Sequence, residues 1–308
     1  MGSRSQASAN PTLTNYAQGL AQDVASKLAE FLAPSVDTGG SSIGAFKKYS
    51  EKNQFQVFDT ARALGGGFKR IPFLTTDGTY NCLPQGLEIT VDDAEREAAG
   101  AQDPIRLDES KVKTLVTSAA IGHEDKVLGI LNAALSAVSG KGVWSDTDVD
   151  PVKELDEQIE SIVIETGRMP NRMALGIGAW RVLKNHPKVL ARQPGSVNQG
   201  VTMQQFASML LNPGVDIRVG ILSKDTTKFG AAKSAVNIVG ARLYLFYAES
   251  NPTVYDPSFA KTFTTRMGGV DTVETYRDET SVSDIHRVKW SEDIQVCTSP
   301  SARRIDLS

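Results

Sequence analysis

The stretch from Asp150 to Val189, DPVKELDEQIESIVIETGRMPNRMALGIGAWRVLKNHPKV, reads as helix, strand, helix. Asp150 is a good N-cap, and Pro151 suits the first helical position, where no N–H is needed. Val152, Leu155, Ile159 and Ile162 recur at helical spacing and give one apolar face. Gly167 stops the helix. The Met169-Pro170-Asn171 turn then leads into a short apolar run, Met173-Ala174-Leu175-Gly176. A second helix carries Trp180 and Leu183 and ends at His186-Pro187, because proline disfavours helix in the residue before it. Trp180 is expected to anchor a core with Leu183 and the face at Leu155 and Ile159.

Working outward, the apolar residues Leu13, Tyr16, Leu20, Val24, Leu28 and Phe31 predict a helix over Thr12–Ala33, ended by Pro34. Residues 35–45, SVDTGGSSIGA, read as a flexible connector. Over 46–91 the pattern is strand-like at Phe55–Val57 and Phe68–Leu74, with a bend at Gly65-Gly66-Gly67. Thr75–Thr79 is a hairpin signal, since Asp77-Gly78 suits a turn needing positive φ. Leu87, Ile89 and Val91 alternate with polar residues as a half-buried strand. Such a hairpin cannot bury Phe68, Ile71, Phe73 and Leu74 by itself and should lie on another subunit.

Asp108–Val138 is the longest helical stretch, capped by Asp108 or Ser110, with Gly122 as a kink point and Gly140 and Gly142 as its end. Thr202 with Gln205 forms a capping-box pattern for a helix over Thr202–Leu211. Strands are expected at Val215–Leu222, Ala235–Val239 and Leu243–Ala248. The run Leu243-Tyr244-Leu245-Phe246-Tyr247 is apolar enough to be central, with Leu245 in the core. Further strands read at Lys261–Thr265, Val273–Tyr276, Val288–Trp290 and Ile294–Val296.

The chain has 308 residues, 40% hydrophobic and 22% charged, which suits two or three packed subdomains. No apolar run approaches the ~18 residues of a membrane span, so no membrane partner is expected. The polar start MGSRSQASANPTLTNY lacks a signal-peptide core. Cys82 and Cys297, far apart in sequence, fit reduced thiols rather than a disulfide framework. A net charge of −3 argues against a protein held to nucleic acid by phosphate contacts.

No catalytic constellation assembles. His123-Glu124-Asp125 lacks the second histidine of a HExxH site and reads as a solvated helix face. His186 shapes a helix end, and His286, beside Asp284, Arg287 and Lys289, reads as solvated strand. Gly65–Gly67 and Gly176-Ile177-Gly178 match neither phosphate-loop spacing. Asp92, Asp93, Glu95 and Glu97 lack the glycine and spacing of a calcium loop and read as a charged helix start. No enzyme activity, cofactor or metal is expected.

The order "helix, Pro-Asn turn, apolar strand, small-residue helix with an aromatic and Leu, then His-Pro-x-Val" at 150–189 resembles the axial domain of tailed-bacteriophage major capsid proteins of the Hong Kong 97 phage type. The resemblance runs in order along nearly the whole chain and is weaker over 253–308. It implies an α+β fold. The N-terminal arm would span 1–45, the extended loop (E-loop) hairpin 46–91, and a peripheral domain with a long spine helix 92–145. The axial domain would span 146–252, and 253–308 would return to the peripheral domain. It implies a virion shell subunit, assembled in the host cytoplasm into pentamers and hexamers of an icosahedral head around double-stranded DNA, without sequence-specific binding. Its partners would be copies of itself, a scaffolding protein (separate, unless a scaffold segment was removed), a portal and a decoration protein. Phe68, Ile71, Phe73, Leu74, Asp77 and Gly78 would be loop contacts between subunits. Cys82 and Cys297 would lie in regions that meet between subunits, with no disulfide expected. An encapsulin-type nanocompartment is the alternative; the long arm with its Gly-Ser connector favours the phage reading.

Overall fold

Asp150 caps its helix through Oδ1, which accepts the Val152 and Lys153 amides at 3.1 and 3.4 Å. Gly167 ends that helix in the left-handed region, φ 63°, where a residue without Cβ meets no penalty. The computed structural model describes residues 7–23, 28–49, 57, 60–62, 64–68, 70, 75–99, 104–192, 200–228, 230–265 and 272–307.

The chain opens with β1 (Ser8–Ala9), α1 (Pro11–Asp23) and α2 (Leu28–Leu32). Strands β2 (Ser35–Asp37), β3 (Ile43–Tyr49), β4 (Thr75–Asn81) and β5 (Leu83–Asp92) follow, then α3 (Asp93–Ala99) and the 31-residue α4 (Pro104–Ala134). Next come α5 (Pro151–Thr166), β6 (Arg172–Gly176), α6 (Ile177–Asn185), α7 (Pro187–Leu190) and α8 (Met203–Ser208). The C-terminal part is mostly strand: β7 (Asp216–Gly220), β8 (Ser223–Asp225), β9 (Ala235–Asn237), β10 (Arg242–Phe246), β11 (Ala260–Thr264), β12 (Thr272–Asp278), β13 (Ser283–Val296) and β14 (Ala302–Asp306).

Two sheets organise these elements. The larger runs β1-β12-β13-β11-β2, with β5 on the other flank of β13; the smaller runs β14-β10-β6-β7. Leu243 to Phe246 of β10 are fully buried between β14 and β6, as their unbroken apolar run requires. One face of the smaller sheet (Met173, Leu175, Leu243, Leu245) packs against α5, α6 and α8. The other (Ala174, Tyr244, Phe246) packs against α2, the C-terminal half of α4, and Phe259, Ala260 and Ile294. The N-terminal half of α4 holds α1 and the larger sheet through Val112, Leu115, Val116, Val273 and Val288. Helix α4 therefore belongs to both cores and ties the two sheets together.

Several local expectations yield to this packing. Helix α4 starts at Pro104, ahead of Asp108 and Ser110, and ends before Gly140, whose φ of 70° serves the loop that follows. The connector expected at 35–45 contains β2, paired parallel to β11, and a turn at Gly39 and Gly40 with φ of 64° and 86°. The pieces read at Val288–Trp290 and Ile294–Val296 are one 14-residue strand. The last strand, β14, pairs with β10, so the chain ends in the smaller sheet. Helix α1 buries Leu13 and Ala17 against α4 and the larger sheet, ending at Asp23 short of the expected Ala33; Val24 lies outside the described residues.

Candidate assembly surface

Outside the two large sheets stands the antiparallel ribbon of β3 and β4, in register from Ile43 opposite Asn81 to Tyr49 opposite Thr75. Glycines opposite aromatic rings build it. Phe46 pairs with Gly78 and Tyr80 with Gly44. A Cβ on Gly78 would lie 2.4 Å from the Phe46 ring, and one on Gly44 would lie 2.3 Å from the Tyr80 hydroxyl. Each ring thus lies across a glycine of the opposite strand, the arrangement by which aromatic residues protect strand glycines. Both rings also reach Phe263 of β11, at centroid separations of 5.2 Å for Phe46 and 4.6 Å for Tyr80. Val36, Cys82 and Cys297 complete this small core. The ribbon is therefore rooted on the larger sheet. A cross-strand ion pair, Lys47 with Asp77, lies in solvent and adds little.

This overturns the turn expected at Asp77-Gly78. Gly78 sits mid-strand, buried under Phe46, and is absent from the glycines with positive φ. A seven-pair ladder and two ring-on-glycine contacts outweigh a two-residue turn preference. Asp77 is exposed on the ribbon, and Phe68, in the segment between its strands, is 84% exposed. Phe55, Ile71, Phe73 and Leu74 lie outside the described residues. Cys82 and Cys297 share one core within the chain. Burial pushes the Cys297 thiol up to about 12, and both thiols are free.

The core residues read from sequence gather on the smaller sheet. Leu155, Ile159, Leu183 and Leu245 are fully buried in one cluster. Trp180 is only half-buried at its rim, edge-on to Phe206 at 6.1 Å. The fully buried tryptophan is Trp144, whose Nε1 donates to Glu154 Oε2 at 2.8 Å. Its loop has no periodicity to flag it; the Glu154 partner belongs to α5.

Two histidine neighbourhoods are not the solvated faces expected. Glu124 is 1% exposed, because α2 lies against α4 and the Leu28 amide donates to its Oε2 at 3.1 Å. Burial pushes this carboxyl up to about 7, against the pull of the Leu28 and Ala29 amides. His123 and Lys126 instead reach Glu292 of β13, at 2.7 and 3.2 Å. His286 is buried, with Nδ1 3.0 Å from the Thr275 hydroxyl and Nε2 3.4 Å from Asp108. The acidic stretch at 92–97 is a charged helix start: Asp93 pairs with Arg277, and Glu95 with Lys111. Among the described residues no cluster of histidine, cysteine and carboxylate could hold a metal. His186 caps α7, its Nδ1 accepting the Lys188 amide.

No protein-family model matches the chain. It is 26% identical over 280 residues to the major capsid protein of Burkholderia phage BcepMu, covering 86% of each chain. Its structure is similar to that of a phage-related protein from Bordetella bronchiseptica RB50, with a TM-score of 0.74, 24% identity and 98% of both chains covered. It also resembles the capsid structure of cyanophage P-SCSP1u, with a TM-score of 0.56, 13% identity and coverage of 90% and 86%. The chain has the Hong Kong 97-type capsid fold.

Proposed function

We infer that the chain is a major capsid protein of the tailed-phage kind, a structural subunit of the virion shell. The observation that carries this is a sequence relative of that name, aligned over 86% of both chains. The encapsulin alternative is weaker, since the likeness to a Synechococcus elongatus encapsulin, at 12% identity, is one of fold alone. No described helix is long and apolar enough to cross a membrane.

Within this reading, subunits form pentamers and hexamers of an icosahedral head around double-stranded DNA, with a separate scaffolding protein, a portal and a decoration protein as further partners. The extended loop starts earlier than composition suggests, at β3, and returns along β4. The ribbon supports this role because it is a separate two-stranded element, and Phe68, in the segment joining its strands, is exposed. A two-stranded ribbon is marginal in water and gains stability by lying on another surface. A −3 net charge is compatible with a wall that confines DNA without gripping it.

The test replaces residues 50–74 with a short turn joining Tyr49 to Thr75, which already face each other. Circular dichroism should report a folded protein, and electron microscopy should show shells from the parent chain and few or none from the variant. A parent chain that stays monomeric with scaffold supplied would refute the reading.

A further inference from the structure

Helices α5 and α6 each carry one outward stripe that the fold leaves uncovered, and the two are complementary. On α5 the stripe is Glu157, Glu160 and Ile164, all exposed, with Ile164 at 71%. On α6 it is Ile177, Arg181 and Lys184, all exposed, with Ile177 at 53%. Each holds one isoleucine and two like charges, acidic on α5 and basic on α6, and exposed Lys153 closes the far end of the α5 stripe one turn before Glu157. Glu157 already meets Lys141 at 2.7 Å. Among the described residues, Glu160, Arg181 and Lys184 have no ion-pair partner.

The spacing matches as well. Counting from Ile164 back along α5, the carboxylates stand four and seven residues away; counting from Ile177 forward along α6, the cations stand four and seven away. At about 1.5 Å per residue, these are offsets of about 6 and 10 Å on both helices. If the helices lie antiparallel with Ile164 against Ile177, Glu160 meets Arg181 and Glu157 meets Lys184. Both helices cover the same face of the smaller sheet, α5 beside β14 and α6 over β6 and β7. Among the described residues no ion pair joins the two stripes.

We propose that the α5 stripe of one subunit docks antiparallel on the α6 stripe of a second copy of this chain. The two patches differ, so the contact is heterologous, and repeating it head to tail closes a ring when the rotation allows. This proposal rests on the shell reading and names one contact within it. The Ile164–Ile177 contact would shield the adjacent Glu160–Arg181 pair from water on one side, and the contact would weaken with salt.

The experiment compares the full-length protein with E160R, R181E and the double swap E160R/R181E, under conditions where the parent assembles. Each single reversal sets like charges together and should lower the assembled fraction, read by sedimentation and electron microscopy, by about tenfold or more, since ~1.4 kcal/mol per contact is tenfold. The double swap should restore it, with circular dichroism unchanged throughout. As a second measurement, the E160C/R181C chain should form a ladder of multimers under mild oxidation that reductant removes. Normal assembly of both single variants, no recovery in the double swap, or no ladder would overturn the proposal while leaving the shell reading intact. A parent chain that never assembles would sink the shell reading instead; the ladder would then still decide the contact.

Discussion

Glu124 ties the N-terminal segment to α4, and its protonation should set how firmly. Its carboxyl moves from an ordinary 4.5 to about 7 on folding because burial disfavours the charged form. At about 1.36 kcal/mol per pH unit, this amounts to about 3 kcal/mol. The folded state holds the proton more tightly than the unfolded chain, so the stability is fully present below pH 4.5 and is lost as pH rises through 7. Glu124→Gln keeps an acceptor for the Leu28 amide and removes the titration. Denaturant melts of unassembled protein should show the parent losing stability between pH 4.5 and 7, with the Gln variant flat by comparison in that window. At pH 8 the variant should equal or exceed the parent. Protection from hydrogen exchange at Leu28–Leu32, taken relative to the intrinsic rate at each pH, should fall as pH rises in the parent alone. If the variant retains the parent's pH slope, Glu124 is not the titrating group and its assigned burial is wrong.

Three further outcomes follow from packing. Trp144→Ala should lower stability by about 3–5 kcal/mol, and Trp180→Ala by about half that, because only Trp144 is fully buried; thermal midpoints order the two. Gly78→Ala drives a methyl into the Phe46 ring, which Phe263 holds from behind, and should cost about 1–3 kcal/mol; limited proteolysis of the ribbon reports it, and an unchanged pattern would mean the ring moves freely. Cys82 and Cys297 should resist alkylation at pH 8 in the folded protein and react at once in denaturant, with no reductant-sensitive multimers on a gel.

The segment α5-β6-α6 was legible because its signals are local: a cap, a period of 3.6, a left-handed glycine, and a proline that forbids helix before it. Leu155, Ile159, Leu183 and Leu245 could be placed in a core on period and apolarity alone. Trp180 could not be ranked against Trp144 in the same way. Burial of an aromatic in an irregular loop depends on which helix arrives to accept its N–H. Glu124 reads as a surface residue until α2, 96 residues earlier in the chain, is laid across it. Asp77-Gly78 carries a true turn signal. What overrides it is Phe46 from the partner strand and Phe263 from the far end of the chain, contacts with no trace in the local pattern. The sequence by itself determined α5, β6, α6 and the central strand β10, since each rests on residues within a few turns of one another. Only the tertiary structure decided which glycine lies under a ring, which carboxyl is buried, and that the last strand joins the smaller sheet, because each depends on chain segments brought together from a distance.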